Sequence, residues 1–273
     1  MKRQNIRKML LIIAMLLFPL TIWYMSPYLI LQGAMEGIMT GSFVVFAAML
    51  VGSLFFGRLF CGWLCPMGGL QECLTAVNDK VPKQGWKNNI KYVIWAIWIT
   101  AVILCFVFRK GEIRLDPLYM TDHGISVAEI GNYIIYYGVI ILVFIPAVLF
   151  GKRIFCHYFC WMAPFMVIGG KISRLLHLPH LHVATRPNAC VDCHACEKNC
   201  PMGIRITEII KAQAGSNEHD RNEHDRDALG GNKLNATFPA ECITCGACVD
   251  TCKKDVLSFA FSGEGSTVTK ERK

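Results

Sequence analysis

The sequence predicts a mostly α-helical chain in which a four-helix transmembrane bundle precedes a small α+β domain. Three observations lead to this prediction. Hydrophobic residues make up 53% of the 273 residues and charged residues only 18%, which excludes a disordered chain and an ordinary soluble enzyme. Four long apolar stretches occur in the first 150 residues. Most of the 14 cysteines lie in short local runs, unlike those of a small secreted disulfide scaffold, and indicate metal chemistry.

Each apolar stretch is long enough to cross a bilayer, which takes roughly 17–25 residues. Their approximate bounds are 9–31, 38–57, 92–108 and 133–150. Pro19 and Pro27 are expected to kink the first stretch, which membrane helices tolerate. We interpret this stretch as a retained span rather than a cleaved leader, because it is too long and no small-x-small cleavage site closes it.

The distribution of lysine and arginine predicts the orientation of the spans, since cytoplasmic loops are enriched in both. Residues 1–8 carry four basic side chains, the turn 32–37 carries none, and the loop 58–91 carries five. In the loop 109–132, three basic residues are outnumbered by four acidic ones. We therefore expect a multi-pass protein of the bacterial inner membrane with both termini in the cytoplasm. The net charge is +8, but the lysines and arginines flank the apolar stretches and form no basic patch. No nucleic-acid partner is therefore expected.

A repeated motif follows the second and the fourth apolar stretch. Residues 56–65 and 150–160 both read Phe-Gly, a basic residue, an apolar residue, Phe and then Cys-x3-Cys, with one inserted residue in the second copy. Repeats in membrane proteins often place a functional site between the two halves. If the chain stays helical here, cysteines four residues apart share a face, and we expect the two pairs to meet.

The cysteines of this motif form a candidate site. They are Cys61, Cys65, Cys156 and Cys160. Four convergent thiols are able to bind a soft metal or a cluster, or to cycle between dithiol and disulfide. The alternative is that they pack as small hydrophobic side chains, and the sequence leaves these roles open. Cys73 and Cys105 have no partner at such a spacing and are expected to be structural.

The composition changes at about residue 183, so we assign residues 1–182 to the membrane domain and 183–273 to a C-terminal domain in the cytoplasm. The C-terminal domain contains Cys-x2-Cys-x2-Cys-x3-Cys twice, with a polar insertion at about 212–236 between the runs. This is the spacing of bacterial ferredoxins with two 4Fe-4S clusters, in which the fourth cysteine of each run binds the other cluster. The predicted ligands of the first cluster are Cys190, Cys193, Cys196 and Cys252. Those of the second cluster are Cys242, Cys245, Cys248 and Cys200.

Two other metal sites compete with this interpretation. Zinc also takes four thiolates, but it needs only two cysteine pairs and leaves the additional cysteines unexplained. Cys190-Val-Asp-Cys193-His194 matches the attachment motif of c-type haem, but both cysteines are already needed for the ferredoxin run. Iron–sulfur clusters transfer single electrons, and neither glycine-rich nucleotide motif is present. The predicted function is therefore electron transfer coupled to a membrane, with a quinone as the lipid-soluble carrier.

The combination of four apolar stretches, two Cys-x3-Cys motifs and two ferredoxin motifs resembles the NapH family of membrane-bound ferredoxins and the related NosR and MauN types. The most specific stretch is Cys61-Gly-Trp-Leu-Cys65-Pro66-Met-Gly-Gly-Leu-Gln-Glu72, which is similar to the family's Cys-x3-Cys-Pro signature. The second copy has Trp161 in place of that proline, and Pro164 follows three residues later.

The resemblance implies a quinol dehydrogenase subunit that passes electrons from the quinone pool toward a periplasmic reductase system. It implies two 4Fe-4S clusters as cofactors, quinol as the substrate, and a periplasmic ferredoxin-like or cytochrome c subunit as the partner. Two alternatives stay open. One is a membrane protein for the assembly or redox regulation of a metalloenzyme, and the other is an entry point for electrons from cytoplasmic ferredoxin to quinone.

Overall fold

The fold in the computed structural model is mostly helical, as the sequence predicts. The structure describes residues 2–81, 85–109, 113–186, 189–218 and 239–262. The helices before residue 180, α1 to α10 in chain order, are Lys2–Leu16, Phe18–Thr21, Pro27–Glu36, Gly41–Phe56, Leu59–Trp63, Pro66–Cys73, Ile90–Phe108, Asn132–Phe150, Ile154–Tyr158 and Ala163–Leu175. Most of the predicted insertion at about 212–236 lies outside the described residues.

The remaining elements are three helices in the C-terminal part of the described chain and two pairs of short strands, of which only β3 and β4 belong to the C-terminal part. Helices α11 to α13 are Ala195–Lys198, Ile206–Glu218 and Ala247–Thr251, and strands β1 to β4 are Ile38–Thr40, Arg114–Asp116, His180–Thr185 and Leu257–Ser262. β1 pairs with β2 in parallel, and β3 pairs with β4 in the antiparallel sense, with His180 opposite Ser262. The predicted boundary at about residue 183 lies within β3, and the division into two domains stays a prediction.

The long helices α7 and α8 correspond to the third and fourth predicted spans. Each has 19 residues, with mean hydropathies of 2.2 and 2.5, which is long and apolar enough to cross a membrane. Only 11% of each helix is buried within the molecule. The core helix of a soluble protein would be mostly covered, so these exposed apolar surfaces indicate association with a membrane.

The first two predicted spans have a different outcome. The stretch 9–31 is divided among α1, α2, a 3-10 turn at Trp23–Met25 and α3. Pro27 opens α3, and Ser26 caps this helix by accepting from the N–H of Leu29. The second stretch forms α4, whose 16 residues fall short of the usual spanning length of about 20. The single first span that the sequence predicts is therefore not formed as one helix, and the four-helix bundle stays a prediction.

Helix α10 packs lengthwise against α4 through a glycine contact. A Cβ atom on Gly169 would lie 1.8 Å from the Oγ of Ser53 and 2.9 Å from the carbonyl oxygen of Leu50. Only a residue without a side chain allows the two backbones to approach this closely. This contact fixes the middle of α10, the helix that follows the second Cys-x3-Cys motif, against α4.

The N-terminal helix connects the two halves of the chain. Arg3 forms an ion pair with Asp250, which lies in α13. Gln4 donates from Nε2 to the carbonyl oxygen of Cys245 over 3.0 Å. One turn further along α1, Arg7 binds Glu72 of α6. Because one helix contacts both halves, the cysteine-rich part is held against the membrane half rather than linked to it loosely.

Candidate functional site

The two Cys-x3-Cys motifs have the same local structure. Each begins in a five-residue helix, α5 or α9, that ends before the second cysteine. The N–H of Cys65 donates to the carbonyl of Phe60 over 3.0 Å, and the N–H of Cys160 donates to that of Phe155 over 2.9 Å. A continuous helix through each pair, under which the two cysteines would share a helix face, is therefore not formed. The second thiol of each pair is placed by a tight turn after the short helix, and not by a further turn of that helix.

A new helix begins directly after each pair and offers N–H groups to the second thiol. The N–H of Gly68, in α6, hydrogen-bonds the thiol of Cys65. The N–H of Ala163, at the start of α10, hydrogen-bonds the thiol of Cys160. Pro164 lies in this first turn, where proline is favoured because no helical N–H is lost. The departure of the second copy from the family signature therefore leaves its local structure intact.

Contacts between the two copies bring the cysteine pairs together. Gln71 of the first copy donates from Nε2 to the Sγ of Cys156, 3.3 Å away. The residue at the same position of the second copy, Met166, has its Sδ 3.7 Å from the Sγ of Cys61. Each copy thus contacts the first cysteine of the other copy. The two copies are intertwined around one site instead of forming two separate ones.

The four thiols of this site are buried, with between 4% and 6% of each residue exposed. Burial raises the pKa of Cys65 well above its usual value, and the thiols of Cys61, Cys156 and Cys160 raise it further. Burial and the neighbouring thiols of Cys156 and Cys61 also raise the pKa of Cys160 to about 12. Such effects require close neighbours, so the structure brings the four predicted thiols together. Their chemical role stays a prediction.

Two fully buried arginines, Arg58 and Arg153, lie three residues before the first cysteine of their pairs. Arg58 donates from Nη1 to Glu241 over 2.5 Å, and Arg153 donates from Nη2 to Glu72 over 3.0 Å. Nε and Nη2 of Arg58 and Nε of Arg153 have no oxygen or nitrogen acceptor in the described part of the chain, whereas Arg58 also hydrogen-bonds the thiol of Cys61. Sequence reasoning used the basic residues of this region for orientation and as part of the repeated motif, but it did not predict that these arginines would lie beside the thiols.

Glu72 connects the first copy of the motif to α1 and to the second copy. Its carboxylate forms ion pairs with Arg7 of α1 and with Arg153, which precedes α9. Burial raises the pKa of Glu72, but the two guanidinium groups outweigh burial and lower it to about 2. Arg153 also donates from Nη1 to the carbonyl oxygen of Cys61 over 2.8 Å. This network fixes the two motifs relative to each other.

The C-terminal part brings together the cysteines predicted to bind the second cluster. Cys200, Cys242, Cys245 and Cys248 line one cavity. Apolar side chains such as Ile204 and Ile206 complete its walls. Burial raises the pKa of Cys200 to about 11, and the thiol of Cys245, from the other run, adds to this effect. Four soft thiols around an apolar cavity are a donor set that fits a 4Fe-4S cluster.

The cysteines predicted to bind the first cluster are more exposed. Cys196 is buried, Cys190 and Cys252 are half-buried, and Cys193 is exposed. Burial raises the pKa of Cys196, and the thiol of Cys190 contributes to this increase, so these two lie close together. This set is open to solvent on the side of Cys193. The assignment of individual ligands to the two clusters stays a prediction.

The arrangement of the cysteines disfavours the competing interpretations. Among the described residues, no three His, Cys, Asp or Glu side chains are placed to hold a single metal ion. Zinc would draw its four ligands around one atom, whereas a cluster distributes them over several. All 14 cysteines are free, which also disfavours a disulfide framework.

The cluster-binding loop of the C-terminal part lies directly on the first Cys-x3-Cys motif. Trp63 donates from Nε1 to the carbonyl oxygen of Thr244 over 3.1 Å. A Cβ atom on Gly62 would lie 2.2 Å from the carbonyl oxygen of Ile243. Only glycine leaves room for this approach. The candidate second cluster and the four-thiol site are therefore neighbours across a close backbone contact.

Glu241 holds the same loop from the other side. Its carboxylate accepts from Lys91, in the first turn of α7, over 2.8 Å, and it also pairs with Arg58. Burial raises the pKa of Glu241, but Arg58 and Lys91 lower it to about 2. Sequence reasoning missed this anchor, because a single acidic residue before a cysteine run forms no recognisable pattern.

Two known families match this chain. The family described as 4Fe-4S binding domain matches twice, at residues 38–84 and 132–179. The family described as 4Fe-4S dicluster domain matches residues 189–257. The double match shows that the two halves with Cys-x3-Cys motifs are copies of one unit, as the sequence predicts. The match to the 4Fe-4S dicluster family confirms the ferredoxin motifs.

Relatives among known proteins extend over most of the chain. The putative electron transport protein YccM of Escherichia coli is 22% identical over 86% of this chain and 60% of its own length. The methylamine utilization ferredoxin-type protein MauN of Paracoccus denitrificans is 23% identical over 69% of this chain and 65% of its own. The chain is an iron–sulfur electron-transfer protein of the NapH-related polyferredoxin family.

The similarity of this polyferredoxin to other family members is moderate. The uncharacterized protein MJ0750 of Methanocaldococcus jannaschii is 28% identical over 78% of this chain and 76% of its own length. The chain spans less than two thirds of YccM and of MauN. No solved structure matches it.

Proposed function

We propose that this polyferredoxin is the membrane-bound subunit of a quinol dehydrogenase that passes electrons toward a periplasmic reductase system. In this proposal the donor is quinol from the membrane, and the partner is a periplasmic ferredoxin-like or cytochrome c subunit. The proposed location is the bacterial inner membrane, with four spans and both termini in the cytoplasm.

The docking of the second cluster site on the membrane half supports this proposal most directly. Trp63 of α5 and Lys91 of α7 both hold the loop that carries Cys242. Helix α7 is one of the two long apolar helices. The loop is thus attached at the end of a helix suited to cross a membrane, which is where a carrier dissolved in lipid arrives.

The residues of the chain provide the surroundings that electron transfer requires. When bound, 4Fe-4S clusters supply one-electron transfer at a potential set by hydrogen bonds, charge and exposure. Cys200 and the 242–248 run would hold one cluster in an apolar cavity, where Ile204 and Ile206 exclude water. The more exposed set around Cys193 is suited to meet a soluble partner. The names of YccM and MauN, an electron transport protein and a ferredoxin-type protein, agree with this role.

Reduction by quinol tests the proposal. The full-length protein is purified anaerobically in detergent, mixed with a reduced quinol, and followed by EPR. We expect at least one cluster signal to develop and to disappear again when excess quinone is added. The variant Cys245→Ser is expected to lose the signal of the second cluster, whereas Cys73→Ser, at an exposed cysteine outside every predicted site, keeps it. No reduction by quinol in a sample that dithionite reduces would contradict the quinol dehydrogenase function.

The two alternative functions give different results. An entry point for electrons would be reduced by cytoplasmic ferredoxin and oxidised by quinone, without transfer to a periplasmic acceptor. An assembly or regulatory protein would show no reduction by quinol, and cells without it would contain a metalloenzyme that lacks its cofactor. The EPR experiment, extended with reduced ferredoxin as a second donor, separates these cases.

A further inference from the structure

We propose that a pocket between the membrane half and the cluster-binding loop binds the headgroup of quinol. This site rests on the quinol dehydrogenase function proposed above, and it adds the place where the substrate binds. The pocket is enclosed by the end of α4, helix α10, strand β3 and the loop 239–244, which contains Cys242.

The pocket lies at a level that a lipid-soluble molecule reaches. Gly57 lines the pocket and directly follows α4, which forms the second apolar stretch. Its neighbour Phe56 is 50% exposed, and Leu175, the last residue of α10, is 77% exposed. The ring of exposed Phe261, which pairs with the lining residue Leu181, lies 6.5 Å from that of Phe56. A lipid-soluble headgroup would therefore enter across exposed apolar side chains at the end of a predicted span.

Two histidines of β3 supply hydrogen-bond acceptors. His180 and His182 both line the pocket, with ring centroids 5.1 Å apart, because residues two apart on a strand face the same side. The Nδ1 of His180 lies 3.1 Å from the carbonyl oxygen of Leu178, and the Nδ1 of His182 lies 3.0 Å from that of His180. A carbonyl oxygen only accepts, so Nδ1 carries the proton and Nε2 of each neutral ring is an acceptor. The two hydroxyl groups of quinol are the donors that such nitrogen atoms accept from.

Two further lining residues have polar atoms without a partner. Oγ1 of Thr244, and Nε and Nη2 of Arg58, are buried without an oxygen or nitrogen partner in the described part of the chain. Arg58 also hydrogen-bonds the thiol of Cys61. Buried polar groups normally have a hydrogen-bond partner. The oxygen atoms of a quinol or quinone ring would accept from the hydroxyl of Thr244 and from the guanidinium group of Arg58.

The other walls combine apolar side chains with a predicted cluster ligand. Met166, Leu181 and Val183 give the pocket an apolar lining. Cys242 lines this pocket and also the cavity of the second cluster. Pockets for small molecules are mostly apolar, with a few polar groups that fix the orientation of the ligand. A quinol ring bound here would lie beside a ligand of the cluster that is proposed to accept its electrons.

Other occupants fit the pocket less well. A metal ion on the two histidines would need further donors, and no three His, Cys, Asp or Glu side chains in the described ranges are placed to hold one ion. A small anion would meet the guanidinium group of Arg58, but this group is already paired with Glu241. Neither a metal ion nor an anion would use the apolar walls, whereas a quinol ring uses both the walls and the acceptors.

Photolabelling with an azidoquinone locates the site directly. The full-length protein is purified anaerobically in detergent and illuminated with the probe, and the labelled peptides are identified by mass spectrometry. We expect the label on the segments 166–183 and 239–244, and we expect excess unlabelled quinone to prevent it. Label confined to other segments, or label in these segments that quinone does not displace, would overturn the proposal.

Two open glycines provide matched variants that test the pocket. Gly170 lines the pocket, and no described residue lies within 4 Å of a Cβ atom added to it or to Gly138 in α8. Gly170→Leu is expected to fill the pocket. The quinol concentration that gives half the maximal rate of cluster reduction should rise by about tenfold or more, while dithionite still reduces the clusters. Gly138→Leu should keep the wild-type concentration.

Polar substitutions test the hydrogen bonds to the headgroup. His180→Leu and Thr244→Val should each raise the same quinol concentration by about tenfold, since each removes one partner of a buried hydrogen bond. The controls are His123→Leu, at a histidine with 95% of its side chain exposed, and Thr251→Val, whose hydroxyl donates to the carbonyl of Ala247. Wild-type values in both pocket variants would contradict the assignment of the headgroup to this pocket.

The outcomes separate this site from the function on which it rests. A wild-type protein that dithionite reduces and quinol does not would overturn both. A wild-type protein that quinol reduces, with an unchanged half-maximal concentration in folded Gly170→Leu, would overturn the site alone. Where a variant fails to fold, photolabelling of the wild type still decides the question.

Discussion

Single residues at the four-thiol site act mainly through buried charge. Glu72 is the sole carboxylate paired with Arg7 and Arg153 in the described part of the chain, and both guanidinium groups are almost entirely covered. Breaking a buried ion pair costs more than forming it contributes, because the remaining charge is left in a medium of low polarity. The stability of this region therefore depends on one ionised carboxylate.

Replacing this carboxylate gives a prediction with a defined pH dependence. Glu72→Gln is expected to destabilise the protein by about 3–5 kcal/mol at pH 7. The pKa of Glu72 is lowered to about 2 in the folded state, from about 4.3 in the unfolded chain. Its contribution is therefore complete above pH of about 4.3 and is lost as the pH falls toward 2.

Thermal unfolding in detergent, followed by circular dichroism between pH 7 and pH 3, measures this effect. The difference in Tm between the wild type and Glu72→Gln should narrow at the acidic end of this range. Glu208→Gln is the control, because its carboxylate is exposed and pairs with exposed Arg205. A constant difference in Tm across the pH range would show that Glu72 is not held ionised by its arginines.

Gly62 controls the approach of the C-terminal loop. Gly62→Ala would place a Cβ atom 2.2 Å from the carbonyl oxygen of Ile243, so the loop has to move away. We expect a loss of about 1–3 kcal/mol in stability and faster hydrogen exchange in the 242–248 segment, measured by mass spectrometry. Gly85→Ala is the control, since no described residue lies within 4 Å of its added Cβ. Unchanged exchange in Gly62→Ala would contradict the close contact.

At the scale of elements, short helices and turns build the two Cys-x3-Cys motifs. The five-residue helices α5 and α9 each end before a cysteine that is placed by a turn. Helices α6 and α10 then begin beside the second thiols. The position of the site thus depends on how α10 packs against α4, because α10 carries Met166 to the Sγ of Cys61.

Adjacent glycines in α10 provide a matched test of this packing. Gly169→Ala would bring a Cβ atom to 1.8 Å from the Oγ of Ser53, whereas nothing in the described ranges lies within 4 Å of a Cβ added to Gly170. We expect Gly169→Ala to lower the stability by about 1–3 kcal/mol. Gly170→Ala should be neutral or stabilising by up to about 1 kcal/mol, because alanine favours the helix. Equal Tm values for the two variants, measured by thermal unfolding in detergent, would contradict the packing.

At the scale of the whole molecule, the cysteine-rich half is fastened to one end of the membrane half. Contacts from several elements hold it there, among them Arg3 with Asp250, Trp63 with Thr244, and Glu241 with Arg58 and Lys91. The long apolar helices α7 and α8 remain exposed beside this assembly. A membrane around these two helices would place all the candidate centres on one side.

This arrangement predicts the sidedness of labelling in membrane vesicles. Exposed Cys73 follows the first Cys-x3-Cys motif and precedes α7. Ile130, 90% exposed, lies in the loop between the end of α7 and the start of α8, at the other end of these two helices. A membrane-impermeant maleimide should label Cys73 in inverted vesicles only. The variant Ile130→Cys, combined with Cys73→Ser, should be labelled in right-side-out vesicles only. Labelling of both positions from the same side would contradict the proposed orientation.

The sequence by itself determined the features that depend on local pattern. Apolar runs of spanning length predicted α7 and α8, the repeated spacing predicted the duplicated unit, and the cysteine runs predicted the ferredoxin motifs. These patterns are readable because length, periodicity and ligand spacing are properties of neighbouring residues. The prediction of one continuous first span was wrong, because hydropathy alone does not show that Ser26 and Pro27 begin a new helix.

Only the tertiary structure decided which distant groups meet. The two cysteine pairs lie about 95 positions apart, and their cross-contacts through Gln71 and Met166 arise from the packing of separate helices. The pairing of Glu241 with Arg58 and Lys91 likewise joins groups from both halves of the chain. Such contacts depend on the free energy of burying charge and excluding water across the whole fold, which no local spacing encodes.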